Sequence, residues 1–156
     1  MADELQLSSP AFDDDNELPA RHTGDGEDRS PPLQWTDPPA GTKELVLVCD
    51  DRDNDTGVFV HWVVYGIEPD VRELPEGLAH NTVLTDPVDL LQGLNDLGQS
   101  GWSGPLPDDE RGPHRLFFRL EALDVELDLP PGATREELRE ACKGHVLASA
   151  ELVGIG

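Results

Sequence analysis

Runs of apolar residues predict strands through much of the chain. Four strands are expected, at residues 45–49, 58–67, 115–125 and 146–155. The first two runs are continuous and rich in β-branched side chains, which is typical of strands buried on both faces of a sheet. An acidic turn at residues 50–57 is expected between these two strands, and two shorter extended segments precede them. Apolar and polar residues alternate at residues 5–8, and two prolines disfavour helix at residues 30–35.

One helix is predicted towards the end of the chain. Thr134 and Glu137 form the capping-box pattern that starts a helix, and Leu138, Ala141 and Cys142 follow on one face. A further helical turn is expected around residues 88–94, within an otherwise irregular middle stretch.

Because strands predominate, we predict a mostly β fold: an antiparallel, Greek-key-like β-sandwich with one or two short C-terminal helices. Residues 1–156 are expected to form a single domain, whose first 20 residues are an acidic and partly extended segment. Cys49 falls in a predicted strand and Cys142 on the predicted helix. Both are therefore expected to be small core residues without a disulfide.

The charge of the chain is strongly one-sided. It contains 33 acidic and 11 basic residues, which gives a formal net charge of −22. Nucleic acids and anionic membranes require clustered lysine and arginine, so both partners are disfavoured. An acidic surface also repels itself, but at about 1 M salt the screening length falls to roughly 3 Å. Two kinds of host fit this composition: one with a salt-rich cytoplasm, which is our hypothesis, and a mesophile whose proteins are acidic in general.

The location of the protein is predicted from two further features. No apolar run is long enough to span a membrane, and the first residues lack the basic start and apolar core of a signal peptide. We expect a cytoplasmic protein without a membrane span.

Two histidines carry the candidate chemistry. His61 lies in an apolar strand and His114 precedes another, and a buried imidazole must find a hydrogen-bond partner. Asp51 and Asp53 alternate with Arg52, so the two carboxylates share one face if the strand extends that far. Carboxylates favour the protonated imidazole, and two protonated histidines offer donors to an oxyanion. The turn at residues 104–105 would add backbone donors and a rigid wall.

Other interpretations of these residues stay open. One interpretation is that His61 and His114 are hydrogen-bonded structural residues. Another is that they are ligands of a zinc or iron ion, although no His-x-x-x-His or Cys-x-x-Cys spacing supports a metal site. A hydrolase would use one of them as a general base oriented by an aspartate. Neither Ser100 nor Ser103 stands in a nucleophile elbow, which argues against nucleophilic catalysis. We predict no catalytic residue, no metal and no cofactor. The remaining histidines, His22, His80 and His145, are interpreted as surface or packing residues.

Several separated motifs together resemble a known family. They are Asp51-Arg52-Asp53, His61-Trp62, Gly104-Pro105-x-Pro107, His114-Arg115-x-Phe117 and the closing segments at residues 144–148 and 151–154. They occur in the order found in the phosphatidylethanolamine-binding proteins, also called Raf kinase inhibitor-like proteins. The chain is most similar to the bacterial and archaeal branch, and the resemblance covers about residues 20–155.

The resemblance implies a β-sandwich with a small pocket at one end that accepts phosphate, acetate or a phosphoethanolamine head group. By analogy, the pocket would comprise Asp51, His61, Gly104, Pro105 and His114. The supporting residues would be Trp62, Trp102 and a structural pair formed by Asp53 and Arg115. The family implies binding without catalysis, in some members regulation of a protein partner or inhibition of a serine protease, and here a homodimer.

The chain departs from the family pattern at two places. The usual Asp-Pro-Asp-Ala-Pro reads Asp51-Arg52-Asp53-Asn54-Asp55, which lacks both prolines, and Leu116 replaces the usual tyrosine after His-Arg. The second change removes a phenolic donor from the pocket wall. We therefore expect weak binding of phosphate.

Overall fold

The computed structural model describes residues 5–54, 57–105 and 114–156, with the backbone alone at residues 53 and 54. These residues form two β-sheets, a short 3-10 helix at Ala20–His22 and an α-helix, α1, at Arg135–Cys142. The strands are β1 Leu7–Ser8, β2 Asn16–Glu17, β3 Leu33–Trp35, β4 Glu44–Asn54, β5 Gly57–Ile67, β6 Glu73–Leu74, β7 Val83–Leu84, β8 Leu90–Gln92, β9 Arg115–Leu123 and β10 Val146–Ile155.

The strand order confirms the predicted mostly β, antiparallel architecture. The larger sheet has the order β2-β10-β9-β4-β5-β8-β7, and the smaller has the order β1-β3-β6. Within the larger sheet, β9-β4-β5-β8 follows the 4-1-2-3 order of a Greek key. All described strand pairs are antiparallel except the pair of β2 with β10.

The larger sheet is covered on both faces, which explains its continuous apolar strands. On one face, Leu47 and Trp62 belong to the same buried cluster as Leu33 and Leu74 of the smaller sheet. On the other face, Val46, Val63 and Tyr65 form a cluster with Leu138 and Cys142 of α1. Since successive side chains of a strand point to opposite faces, both sets must be apolar.

The predicted helix and its cap are confirmed. The Thr134 hydroxyl accepts a hydrogen bond from the Glu137 amide at 3.2 Å, and the Glu137 carboxylate accepts one from the Thr134 amide at 2.9 Å. Leu138 and Cys142 are buried against the sheet. Cys49 and Cys142 are both buried and free, as predicted. None of the helices formed by the described residues could cross a lipid bilayer.

The predicted helical turn at residues 88–94 is wrong. Residues 90–92 form strand β8 instead, which pairs with β5 through Val64 and Gln92. Leu90 and Gln92 are buried and Leu91 is half-buried, which is the alternation of a strand. The short 3-10 helix was not expected from the sequence.

Candidate functional site

Strand β4 carries Asp51 to one end of the larger sheet. The acidic residues after Cys49 were expected to form a turn, but β4 continues to Asn54 and pairs with β5 and β9 on its two sides. Asp51 faces one cavity, whereas Asp50 and Arg52 line another cavity on the helix side of the sheet. The predicted separation of Asp51 from Arg52 is therefore confirmed. The Asp53 side chain lies outside the described part of the structure.

A β-bulge turns His61 towards the same end of the sheet. Cys49 pairs with Trp62 and Asp50 pairs with Val60, which leaves His61 as an extra, unopposed residue in β5. Bulges bend the strand and re-aim the side chain of the extra residue. Without this bulge, His61 would lie opposite Asp50, whose side chain points to the helix side.

All five predicted pocket residues surround one cavity of about 320 Å³. They are Asp51, His61, Gly104, Pro105 and His114. The structure thus brings together residues from β4, from β5, from the loop before residue 106 and from the position immediately before β9. Their role in ligand binding stays a prediction.

Asp51 holds His114 in a defined orientation. The Nδ1 atom of His114 donates a hydrogen bond to Oδ2 of Asp51, and both side chains are buried. The backbone of His114 exchanges two hydrogen bonds with Gly156, at 2.7 and 2.9 Å. The ionised carboxylate accepts only, so it selects the tautomer with a proton on Nδ1.

His61 is held by a backbone carbonyl. Its Nδ1 atom donates to the carbonyl of Ser103 at 2.6 Å, and the Ser103 amide donates to the His61 carbonyl at 3.1 Å. Burial lowers the pKa of His61. This effect exceeds the hydrogen bond to Ser103 and the charges of Asp51, Asp50 and Asp28, which raise the pKa. At neutral pH the His61 ring is therefore neutral, with a lone pair on Nε2, whereas a protonated ring was expected from the neighbouring carboxylates.

The loop at residues 104–105 supplies a wall but not the expected backbone donors. The Gly104 amide already donates to Oδ1 of Asp28 at 2.7 Å, and Pro105 has no N–H. A Cβ on Gly104 would lie 2.3 Å from the carbonyl oxygen of His22, so glycine is required here. The Pro105 carbonyl accepts from the Gly24 amide at 2.8 Å, which fixes the loop against residues 22–28.

The two tryptophans support the cavity from the core side. Trp102 is stacked on Phe118 with ring centroids 5.9 Å apart and meets Trp62 edge-on at 5.7 Å. Its ring lies 6.1 Å from that of His61. Trp62 donates to Gln92 at 2.8 Å and Trp102 donates to the His22 carbonyl at 3.1 Å. Both rings are therefore fixed behind the imidazole.

Two predicted features lie wholly or partly outside the residues that the structure describes. The proposed structural pair of Arg115 with Asp53 involves the Asp53 side chain, and Pro107 belongs to the segment at residues 106–113. Arg115 itself is exposed, and its guanidinium lies 5.5 Å from the centre of the Phe117 ring.

Sequence reasoning missed several residues that also line the cavity. Asp28 brings a second carboxylate, Phe59 places its ring 5.0 Å from that of His61, and Leu97 is exposed at the mouth. Asp28 belongs to an acidic, glycine-containing motif and has a positive φ of 55°, which aspartate tolerates better than most residues. That motif was the feature of the sequence from which the position of Asp28 at the cavity could have been predicted. Among the described residues, no three histidine, cysteine, aspartate or glutamate side chains are grouped as metal ligands.

The other histidines lie away from this cavity. His22 is fully buried and donates from Nδ1 to the Arg29 carbonyl at 2.8 Å. His80 is exposed, and His145 is half-buried beside Asp124 at 2.9 Å. Their interpretation as packing or surface residues is consistent with these positions.

Comparison with known proteins gives consistent matches. The family model described as "Phosphatidylethanolamine-binding protein" matches residues 8–155. A UPF0098 protein of Methanothermobacter thermautotrophicus is 46% identical over 151 residues, covering 97% of each chain. A crystal structure of a putative phosphatidylethanolamine-binding protein homolog from Chlamydia trachomatis has a TM-score of 0.88 at 37% identity, covering 99% of this chain and 98% of that one. The crystal structure of YbcL from E. coli also has a TM-score of 0.88, at 26% identity and 97% coverage of both chains.

Proposed function

Because this chain belongs to the phosphatidylethanolamine-binding protein family, we propose that it is a non-catalytic binding protein whose pocket takes a small oxyanion together with a proton. The observation that carries the proposal is the convergence of His61 and His114 on one cavity, each with its Nδ1 atom already engaged. The oxyanion would belong to a free small molecule or to a phosphorylated or acidic segment of a regulated protein partner. A homodimer also stays a prediction.

The uptake of a proton with the anion is inferred from the charges that surround the cavity. Asp28 and Asp51 both line it, and each disfavours a second negative group. A neutral His61 offers only the lone pair of Nε2, because Nδ1 donates to Ser103. Protonation turns Nε2 into a charged donor, which makes a stronger hydrogen bond to an oxyanion. Binding of an anion should therefore raise the pKa of His61 and take up a proton.

Sulfate tests this linkage because it stays a dianion throughout the relevant pH range. We expect the affinity of the protein for sulfate to rise by as much as about tenfold per pH unit as the pH falls from about 8. The rise should level off at the pKa that His61 has in the protein without bound sulfate. The measurement is a sulfate titration followed by the NMR signals of the Ser103 and Gly104 amides at several pH values.

Two variants sharpen the test. His61→Asn places an amide nitrogen where Nδ1 donates to Ser103 but lacks the Nε2 atom, so sulfate binding should be weak and independent of pH. His145→Asn removes a histidine outside the cavity and should behave like the parent protein. Sulfate binding that does not change with pH in the parent would contradict the proposal.

A hydrolase is the second candidate, and the Asp51–His114 pair favours it. A carboxylate that orients an imidazole is the usual arrangement of a general base. Incubation of the parent with ester and phosphoester substrates separates the two functions. We expect no turnover, whereas turnover that disappears in His114→Asn would favour the hydrolase.

A further inference from the structure

A second cavity, of about 380 Å³, lies on the opposite face of the larger sheet, between α1 and strands β4, β9 and β10. It is lined by five of the chain's 11 basic residues, Arg52, Arg119, Arg135, Arg139 and Lys143. We call it the cationic cleft and define it by these five side chains. A chain with a net charge of −22 therefore gathers almost half of its cations in one place.

The floor of the cationic cleft is apolar. Val46 and Val48 come from β4, Leu138 and Cys142 come from α1, and Val146 comes from the start of β10. Cavities of a few hundred Å³ with an apolar lining and a few convergent polar groups are typical binding sites of small molecules. The cleft thus combines a surface for an apolar body with a rim for a negative group.

Carboxylates at least partly buried orient the arginines of the sheet. Asp50 is buried and lies 3.0 Å from Nε of Arg52 and 3.8 Å from a terminal nitrogen of Arg135. Glu121 lies 3.0 Å from Nε of Arg119. Glu151 lies 3.2 Å from a terminal nitrogen of Arg52 and 3.3 Å from one of Arg119. These contacts fix both side chains and neutralise most of their charge, so the arginines of α1 are the better candidates to hold a negative ligand.

The two arginines of α1 are the least neutralised. Arg135 and Arg139 are four residues apart and therefore neighbours on one face of the helix. The carboxylate oxygens nearest to Arg135 lie at 3.8 and 3.9 Å, which is too far for a hydrogen bond. Arg139 has no ion pair within the part of the chain that the structure describes. Arg139 is also exposed, so its guanidinium is accessible to a negatively charged ligand.

We infer that the cationic cleft is a second binding site, for a phosphomonoester that carries an apolar body. The apolar body lies on Val46, Val48 and Leu138, and the phosphate lies between the guanidinium groups of Arg135 and Arg139. A dianion suits two planar guanidinium groups, each of which can donate two parallel hydrogen bonds. This site shares no residue with the pocket of His61 and does not depend on its proposed function.

Phenyl phosphate is the probe, with phenol and inorganic phosphate as its two parts. The titrations are followed by NMR at the lowest KCl concentration at which the protein is folded. The Val48 and Glu121 amides report on the cationic cleft, and the Ser103 and Gly104 amides report on the pocket. We expect saturable shifts at the cleft with phenyl phosphate, about tenfold weaker binding of inorganic phosphate and no shift with phenol.

Charge-matched variants decide whether the arginines of α1 bind the probe. Arg135→Gln/Arg139→Gln should lose affinity at the cleft by about tenfold or more. Arg21→Gln/Lys43→Gln changes the net charge equally at exposed positions outside the cleft and should lose no more than about twofold. Arg139→Gln alone removes an exposed side chain without an ion pair and serves if the double variant unfolds; it should lose several-fold.

Three results would overturn the inference. The first is the absence of saturable shifts at the Val48 and Glu121 amides. The second is equal loss of affinity in the two charge-matched double variants, which would show attraction to the net field alone. The third is binding of inorganic phosphate as tight as that of phenyl phosphate, which would show that the apolar floor plays no part.

Discussion

A single unopposed residue in β5 determines where the imidazole of His61 lies. Its apolar neighbours predict a strand, but the bulge follows from the register between two strands, Cys49 with Trp62 and Asp50 with Val60. The same limit applies to Gly104, whose amide is taken by Asp28, 76 positions away. The resemblance to the family therefore predicted which residues meet, but local sequence did not predict which of their atoms are available to a ligand.

His22 makes stability depend on pH. Burial lowers the pKa of His22, which is fully enclosed and whose Nε2 has no hydrogen bond among the described residues. The unfolded chain therefore binds more protons than the folded one between the folded pKa and about 6.5. The free energy of unfolding should fall as the pH drops through this window. His22 and His61, whose pKa is also lowered, each contribute at most about 1.4 kcal/mol per pH unit.

His22→Asn should flatten this dependence. The asparagine amide keeps a donor for the Arg29 carbonyl but cannot take up a proton, so the slope should fall by as much as one proton. Urea unfolding between about pH 7 and pH 5 measures it. His80→Gln, which keeps an Nε2-like donor at an exposed position, is the control and should retain the parental slope. An unchanged slope in His22→Asn would contradict this assignment.

The long strands were predicted from sequence, and β1 and β3 fall in segments that were expected to be extended, whereas β8 was not predicted. Strands β4 and β5 contain apolar runs that only a doubly covered sheet explains, and α1 begins with a capping box. Residues 88–94 fit a helical period as well as an alternating one, and pairing of β8 with β5 and β7 decides between them. The acidic end of β4 reads as a turn, but its pairing with strands on both sides keeps it extended.

Glu44 joins the beginning of β4 to two other segments. Its buried carboxylate accepts hydrogen bonds from the Gly66 amide at 2.7 Å and from the Leu127 amide at 2.8 Å. Burial raises the pKa of Glu44, and these two hydrogen bonds oppose that rise. Two backbone N–H groups, one in β5 and one in the segment after β9, thus depend on one side chain.

Glu44→Gln should destabilise the protein by roughly 1–3 kcal/mol, because one carboxamide oxygen cannot replace two acceptors and the NH₂ group faces an amide donor. The free energy of unfolding in urea measures the effect. Glu68→Gln makes the same change at an exposed position and should stay within about 0.5 kcal/mol of the parent. Equal stability of the two variants would show that the Glu44 carboxylate is dispensable.

The distribution of charge connects the cationic cleft to the stability of the complete chain. Five basic side chains lie in the cleft, so the rest of the surface is even more acidic than a net charge of −22 suggests. Repulsion among these carboxylates opposes compaction, and its range shrinks from about 10 Å at 0.1 M salt to about 3 Å at 1 M. Folding should therefore become more favourable as salt is added.

The midpoint of urea unfolding should rise between about 0.1 M and 2 M KCl. A general effect of salt on hydrophobic burial would raise it in any protein, so a variant must separate the two causes. Glu68→Gln/Glu73→Gln/Asp89→Asn removes three exposed acids and changes the net charge from −22 to −19. If repulsion is the cause, this variant should be more stable than the parent at 0.1 M KCl and should gain less from added salt. An equal gain in both proteins, or no gain in the parent, would refute adaptation of this surface to a salt-rich cytoplasm.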